Sequence, residues 1–193
     1  DANRVAGISK LMTSVNPDVI LLDDAFQHRK VQGSCSILLT QWDALFVADY
    51  VVPTGNLREG QYGACRADII LVTKCPKDFS ARKQDAIKQK LSRFQKKIFF
   101  TSISYAKTII GALEMQTSAL KDFNVLLITG IANPTPLLDY LSGLAVCFQH
   151  LKFGDHHHFS AKDIQAIQAR FNEMESPKMI LTTEKDYVRL VHV

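Results

Sequence analysis

Two carboxylates at the end of an apolar run are the first residues in this sequence that could do chemistry. Asp23 and Asp24 directly follow the run Asp18–Leu22, and Pro17 precedes it. An apolar run between turn signals predicts a strand buried on both faces, and open α/β sheets bind ligands at the carboxyl ends of such strands. Adjacent carboxylates repel each other unless a cation, a basic group or water relieves them. The pair therefore fits either a solvated acidic turn or the acidic motif of a nucleotide enzyme that holds Mg²⁺.

A loop bounded by glycines is the second candidate. In the segment Gly55–Gly60, the glycines allow the backbone to approach a ligand, and Arg58 offers a planar fork suited to phosphate or carboxylate. Taken alone, the loop favours the alternative, which is an ordinary turn with an exposed ion pair.

The segment Asp155–His158 places one carboxylate beside three imidazoles. Neighbouring side chains of an extended segment point in opposite directions, so we do not predict three histidine ligands for one metal ion. A pair of Asp155 and His156 is better suited to a base whose orientation and basicity a carboxylate sets. The alternative is a polar loop that precedes the helix cap at Ser160.

The segment Thr182–Tyr187 is the last candidate and follows a predicted strand. A structural ion pair of Lys185 with Glu184 or Asp186 is compatible with the pattern. A ligand role for these residues is equally compatible, and both interpretations stay open at this point.

Alternating helices and strands would position these candidates. Helical spacing of apolar residues predicts helices over 5–15 and 80–95, one that Asn133 caps and Pro134 begins, and one that a capping box of Ser160 and Asp163 begins. Short apolar runs also predict strands over 36–40, 68–73, 97–103, 124–129, 144–153 and 179–182. The pattern loosens over 104–123, which we interpret as a connector. Strands that alternate with helices on both sides predict mostly parallel sheets in two lobes.

Composition excludes several classes of protein. A chain of 193 residues that is 47% hydrophobic can form one sizeable core or two small ones. The net charge of +4 is mild and no aromatic array accompanies the basic residues, so we expect no nucleic-acid partner. Four cysteines without a C-x-x-C pair predict buried thiols in a reducing compartment rather than disulfides or a zinc site. No apolar run approaches the roughly 20 residues that span a bilayer, so we expect a soluble chain.

In chain order, five motifs resemble the tetraacyldisaccharide 4'-kinase family, the lipid A 4'-kinases. They are Asp23–His28, Pro53–Glu59, Gly130–Pro134, Asp155–His157 and Thr183–Leu190. Each motif is weak singly, but five in the same order make a specific match that covers essentially the whole chain. Family members usually have glycine where this chain has Ala25, a small departure with little chemical consequence.

The resemblance implies an α/β fold in which a P-loop-kinase-like, mostly parallel sheet lobe is joined by a β connector to a smaller C-terminal α/β lobe. The corresponding domain bounds are 1–104 for the first lobe, 105–122 for the connector and 123–193 for the second lobe. It also implies transfer of the ATP γ-phosphate to the 4'-hydroxyl of a tetraacyldisaccharide 1-phosphate in lipid A biosynthesis. The implied location is the cytoplasmic face of the bacterial inner membrane.

The resemblance implies roles for residues of the first lobe. Asp23 and Asp24 match the pair that handles Mg²⁺, and Glu59 matches the glutamate that supports it. Arg58 and Glu59 fall in the motif expected to bind the ATP cofactor.

For catalysis, the resemblance implies that His156 and an acidic residue activate the sugar hydroxyl, with Asp155 and Asp24 as further catalytic residues. The resemblance implies no role for His157 or His158, because the residue types in the family are less restricted at these positions.

One motif of the family, the phosphate loop G-x-x-x-x-G-K-[ST], does not occur in these 193 residues. The family places this loop upstream of the Asp-Asp motif, together with the acidic partner of the catalytic histidine and a segment that associates with the membrane surface. We therefore expect a piece of the kinase that holds half an active site and does not phosphorylate the glycolipid by itself. Two alternatives stay open: a non-catalytic nucleotide-fold binding module, and a metal-binding protein that uses Asp155–His158 with the two aspartates.

Overall fold

The structure is a computed structural model that describes residues 3–111 and 114–192. Two compact units make up the chain, residues 1–103 and residues 104–193. Each unit contains a parallel three-stranded sheet. The stretch 105–122 falls within the second unit, and its role as a connector stays a prediction, as do the finer domain bounds.

Apart from a strand predicted over Asp18–Leu22, the first unit follows the predicted order of helices and strands. Helix α1 spans Arg4–Ser14, strand β1 Ile37–Gln41, strand β2 Ile69–Cys75, helix α2 Ala81–Leu91 and strand β3 Lys97–Ser102. The strands are parallel in the order β1-β2-β3. Short 3-10 turns occupy Phe46–Ala48, Gln61–Arg66 and Ser92–Phe94. The predicted strands over 36–40, 68–73 and 97–103 are thus confirmed to within two residues.

One face of this sheet is buried and the other is open. Ile70 and Val72 of β2 are fully buried in a cluster to which α2 contributes Leu91. On the opposite face, Leu39 of β1 and Phe99 of β3 are 61% and 52% exposed. The two-residue period of a strand explains this alternation between the faces.

The prediction of a strand over Asp18–Leu22 is wrong. The segment has no regular secondary structure, and Leu21 and Val19 are 90% and 72% exposed. A strand buried on both faces needs a paired neighbour, and this segment pairs with none of the strands in the described residues. It leads instead into a turn in which Asp24 has a left-handed backbone with φ of 46°.

The second unit repeats the α/β alternation with more elements. Its strands and helices are β4 Thr108–Ile109, β5 Met115–Gln116, β6 Asn124–Thr129, α3 Thr135–Gly143, β7 Phe148–Lys152, α4 Ala161–Asn172, β8 Lys178–Thr182 and α5 Glu184–Leu190. Strands β4 and β5 form a small antiparallel pair, followed by a 3-10 turn over Thr117–Asp122. The parallel sheet has the order β7-β6-β8, with β6 in the centre.

Strand β6 is covered on both faces. Val125 and Leu127 pack in one cluster with Leu141 of α3. Leu126 packs in the other with Ile167 of α4. A central parallel strand with helices on both sides is the arrangement that its continuous apolar run predicts.

Two boundaries differ from their predictions for local reasons. Pro134 is the residue before α3 rather than its first residue, and the side-chain oxygen of Asn133 accepts a hydrogen bond from the Thr135 N–H at 3.1 Å. The strand predicted over 144–153 is confined to β7 because Ala145 has a left-handed φ of 55°, which ends an extended run.

Helix α5 was not predicted. The side chain of Thr183 caps it by accepting a hydrogen bond from the Asp186 N–H at 3.1 Å. The burial predicted for the cysteines is confirmed for Cys75 alone among the four: all are free, and the other three, Cys35, Cys65 and Cys147, are exposed. Side chains alternate in and out beside an apolar run, so apolar neighbours do not establish that a thiol faces the core.

Candidate active site

The acidic turn of the first unit is held by arginines. The Arg58 Nη1 donates to both carboxylate oxygens of Asp24, at 3.1 and 2.9 Å, and Arg4 donates to the Asp24 carbonyl at 3.2 Å. The Asp24 N–H in turn donates to the Asp23 carboxylate at 3.0 Å. Asp24 and Arg58 are 66% and 65% exposed, so water screens their ion pair. The structure thus brings together the two motifs that carry Asp23, Asp24 and Arg58.

Glu59 lies between two other arginines. One carboxylate oxygen accepts a hydrogen bond from Arg66 and the other accepts one from Arg29 at 3.3 Å. The bond from Arg66 lowers the pKa of the Glu59 carboxyl, and this effect outweighs burial, which raises it. The Arg66 guanidinium also lies 4.9 Å from the ring centre of Phe26, in the Asp-Asp motif. A small pocket is lined by residues of both motifs, among them Phe26, Gln27, Leu57, Arg58 and Glu59.

The carboxylates of this turn are the kind of ligand that Mg²⁺ binds. Mg²⁺ keeps several waters and is held by one or two carboxylates together with substrate phosphates. The adjacent pair Asp23 and Asp24 suits that requirement. Both oxygens of Asp24 and both oxygens of Glu59 accept bonds from arginines, and a carboxylate oxygen keeps a second lone pair for a metal, so the role of Glu59 toward Mg²⁺ stays a prediction. Within residues 3–111 and 114–192, no three His, Cys, Asp or Glu side chains are grouped to hold a metal ion.

Asp155 and His156 lie in a tight turn of the second unit. The Asp155 carboxylate accepts the His156 N–H at 3.1 Å and Lys185 at 3.4 Å, and its other oxygen lies 3.7 Å from the His156 Nε2. Burial raises the pKa of the Asp155 carboxyl, but the positive charges of His156 and Lys185 and the hydrogen bonds bring it below its usual range. The His156 backbone is left-handed, with φ of 56°, and its ring is 71% exposed. Its Nδ1 lies 3.2 Å from the Arg189 Nη2.

The neighbouring histidines have different surroundings. The His157 Nε2 lies 3.2 Å from the Asp163 carboxylate, and its ring packs against Phe153 and Phe159. The Ser160 hydroxyl and N–H, together with His157, lower the pKa of Asp163 to about 2. His158 is exposed. The metal-binding alternative is therefore not favoured, since His156 and His157 face different partners.

The structure gives Asp186 and Lys185 different ion-pair partners from those considered in the sequence. Asp186 does not pair with Lys185: it pairs with Arg189 at 3.4 Å, while Lys185 pairs with Asp155. Asp186 also accepts the Gly130 N–H at 2.9 Å, which joins two of the five motifs. The pattern Thr183-x-x-Asp186 is a capping signature that could have located the start of α5.

Comparison with known proteins identifies the family of this chain. All of residues 1–193 match the family model described as LpxK, tetraacyldisaccharide-1-P 4'-kinase. The chain belongs to the tetraacyldisaccharide 4'-kinase family. The family expected from the five motifs is therefore confirmed.

Curated relatives of this kinase family agree. The chain is 49% identical over 193 residues to the tetraacyldisaccharide 4'-kinase of Flavobacterium johnsoniae, covering 98% of the chain and 55% of the relative. It is 42% identical over 207 residues to that of Bacteroides thetaiotaomicron, covering 100% of the chain and 54% of the relative. The chain spans about half the length of the curated relatives it matches.

A solved structure of the family supports the fold. A crystal structure titled as the "apo" form of LpxK from Aquifex aeolicus in complex with ATP superimposes with a TM-score of 0.69 and 24% identity, covering 97% of this chain and 53% of that one. At this identity the likeness concerns the fold, and it confirms the predicted α/β class. In the described part of the chain, every helix is too short or too polar to cross a bilayer.

Proposed function

We propose that this chain is part of a kinase that transfers the ATP γ-phosphate to the 4'-hydroxyl of a tetraacyldisaccharide 1-phosphate in lipid A biosynthesis. The observation that carries the proposal is the family match over all 193 residues. The curated relatives bear the name of this activity, and the ATP complex of the Aquifex aeolicus protein supports ATP as the phosphate donor. Because its acceptor is a glycolipid and its phosphate donor is ATP, the whole kinase would work at the cytoplasmic face of the inner membrane.

In this proposal the acidic turn of the first unit serves the nucleotide. Asp23 and Asp24 would hold Mg²⁺, which neutralises charge on the phosphates when bound. Arg58 fixes the Asp24 carboxylate through Nη1 and is 65% exposed, so the rest of its fork is accessible to a phosphate oxygen. Glu59 pairs with Arg66 and Arg29 and would support Mg²⁺ binding beside the two aspartates, as the resemblance implies.

The second unit would supply the proton acceptor. His156 lies beside Asp155 on an exposed turn, which makes the imidazole accessible to a sugar hydroxyl. The Asp155 carboxylate carries negative charge at neutral pH, since its pKa is lowered, and so stabilises the protonated ring. His156 and Asp155 are catalytic candidates in this sense.

A chimeric kinase tests the proposal. In the chimera, these 193 residues replace the segment of the Flavobacterium johnsoniae relative to which they are 49% identical. We expect the chimera to transfer radiolabelled phosphate from ATP to a tetraacyldisaccharide 1-phosphate in a magnesium-dependent reaction. A folded chimera that binds ATP without phosphorylating this acceptor would favour the non-catalytic binding module instead.

A further inference from the structure

The buried carboxylate of Asp186 connects two of the sequence motifs, Gly130–Pro134 and Thr183–Leu190. Its side chain is fully buried and accepts hydrogen bonds from the Gly130 N–H at 2.9 Å and the Thr183 hydroxyl at 2.8 Å. The Arg189 Nη1 lies 3.4 Å from its other oxygen. A Cβ added at Gly130 would lie 3.0 Å from this carboxylate, so the loop and Asp186 are in close contact. A buried charge persists only with such partners, and removing one of them is costly.

Two contacts lead from this carboxylate to His156. The Gly130 carbonyl accepts the His156 N–H at 3.2 Å and lies 3.5 Å from the Arg189 Nη1. The second nitrogen of the same guanidinium, Nη2, lies 3.2 Å from the His156 Nδ1. Arg189 is 20% exposed, whereas the His156 ring is 71% exposed, so the better-buried residue restrains the freer one.

The contact with Arg189 determines which imidazole nitrogen carries the proton. A guanidinium donates hydrogen bonds and cannot accept them. The His156 Nδ1 must therefore present its lone pair, and the neutral ring carries its hydrogen on Nε2, which faces Asp155 at 3.7 Å. A carboxylate beside the protonated nitrogen, with a lone pair on the other nitrogen, is the arrangement of a carboxylate-assisted imidazole base.

We propose that Arg189, held by Asp186, is a positioning residue that keeps the His156 Nδ1 unprotonated, and that this nitrogen accepts the proton of the acceptor hydroxyl. The assignment of the proton acceptor rests on the proposed function. The hydroxyl takes the place of the Arg189 Nη2 and gives its proton to Nδ1. Its oxygen bonds to the γ-phosphorus as the bond from that phosphorus to the β,γ-bridging oxygen breaks, releasing ADP.

Nitrogen NMR of the ¹⁵N-labelled 193-residue chain tests the positioning directly. At alkaline pH, where imidazoles are neutral, we expect His156 with a lone pair on Nδ1 and hydrogen on Nε2. In Arg189→Met the ratio of this tautomer to the other should fall about fivefold, the change expected for the loss of one hydrogen bond. Arg189→Lys, which keeps a donor, should restore part of it.

The matched control is Arg170→Met. Arg170 forms an i,i+3 pair with Glu173 on α4, as Arg189 does with Asp186 on α5, and its partner is Glu173 rather than His156. The control should leave the His156 signals unchanged. Asp186→Asn provides a second variant and should shift the tautomer ratio in the same direction as Arg189→Met. Unchanged His156 shifts in a folded Arg189→Met chain would overturn the positioning role.

Turnover of the chimera tests the catalytic consequence separately. Arg189→Met should lower kcat by up to about fivefold, no more than the fall in the tautomer ratio, because part of the rings then hold the wrong tautomer, with the KM for ATP unchanged. Arg189→Lys should recover part of this loss. If the chimera is active and His156→Ala keeps full turnover, the proton-acceptor assignment is wrong, and the NMR result alone then decides whether Arg189 positions the ring. A tautomer shift with unchanged kcat in Arg189→Met would overturn Nδ1 as the acceptor.

Discussion

The two candidate sites are held together in opposite ways. In the first unit, Asp24 and Arg58 form an ion pair in which both side chains are about two-thirds exposed. In the second unit, Asp186 is fully buried and accepts bonds from Gly130 and Thr183. An exposed pair contributes little to folding, whereas a buried carboxylate with several partners is costly to disturb.

This difference distinguishes residues that can serve the reaction without stabilising the fold from residues that the fold requires. Asp24 can be removed without leaving a buried group unpaired, so a loss of activity there reports on function. Removal of Asp186 leaves the Gly130 N–H without its partner and removes the ion pair of Arg189, so stability and activity change together. Substitutions in the two sites therefore test the comparison directly.

The largest expected effect is on turnover at His156. In the chimera, His156→Ala should lower kcat by roughly 10²-fold or more if its imidazole accepts the hydroxyl proton. His158→Ala is the matched control, since that ring is exposed and two residues away, and should retain most of kcat. Equal losses at both positions, measured with saturating ATP, would indicate a disturbed loop rather than a catalytic imidazole.

The next largest effect is on stability at Asp186. Asp186→Ala in the 193-residue chain should lower the free energy of unfolding of the second unit by about 2–4 kcal/mol, because it leaves buried donors unpaired. Urea unfolding followed by amide exchange in β6 and α5 measures the change locally. Asp122→Ala, at the end of the 3-10 turn in the same unit, serves as an exposed control. A loss no larger than that of the control would contradict the contrast between the two sites.

For Asp24 we expect the opposite of Asp186, namely a large loss of turnover with little loss of stability. Asp24→Ala in the chimera should lower kcat by roughly 10²-fold, about 3 kcal/mol of activation free energy, if the carboxylate helps to hold Mg²⁺. The free energy of unfolding should change by less than about 1 kcal/mol, since the pair with Arg58 is exposed. Unchanged kcat with a clear loss of stability would show that the acidic turn is structural.

Much of the fold could be predicted from the sequence, because runs of apolar residues indicate which segments are buried in the core. Strands β2 and β6 lie within two residues of their predicted ranges, and the helix capped by Ser160 carries the predicted capping box. Asp18–Leu22 has the same apolar character, but a run of apolar residues does not identify the neighbour that a strand requires. Helix α5 was missed because its apolar pattern is weak: Leu190 packs against the core, but Tyr187 and Val188 are exposed, so the cap was its main signal.

The site follows from the sequence only in part. The pair Asp155 and His156 is local and could be recognised from adjacent residues. The contact between His156 and Arg189 joins residues 33 apart in sequence and depends on the left-handed backbone of His156. Likewise, the arginines that contact Glu59 come from separate segments, so the motif alone could not predict this ion-pair network.

The smallest expected effect is on the acid stability of the second unit, and it concerns Asp163. The bonds from Ser160 and His157 lower the pKa of this carboxyl from 3.8 to about 2 in the folded chain. Its stabilising contribution is therefore fully present above the unfolded value and is lost as the pH falls through the folded value. Amide exchange in the first turn of α4 should accelerate across that window in the wild type. Asp163→Asn should flatten this dependence, whereas Glu173→Gln, at the other end of the helix, should leave it intact. Identical acid profiles for wild type and Asp163→Asn would mean that the capping box does not carry the effect.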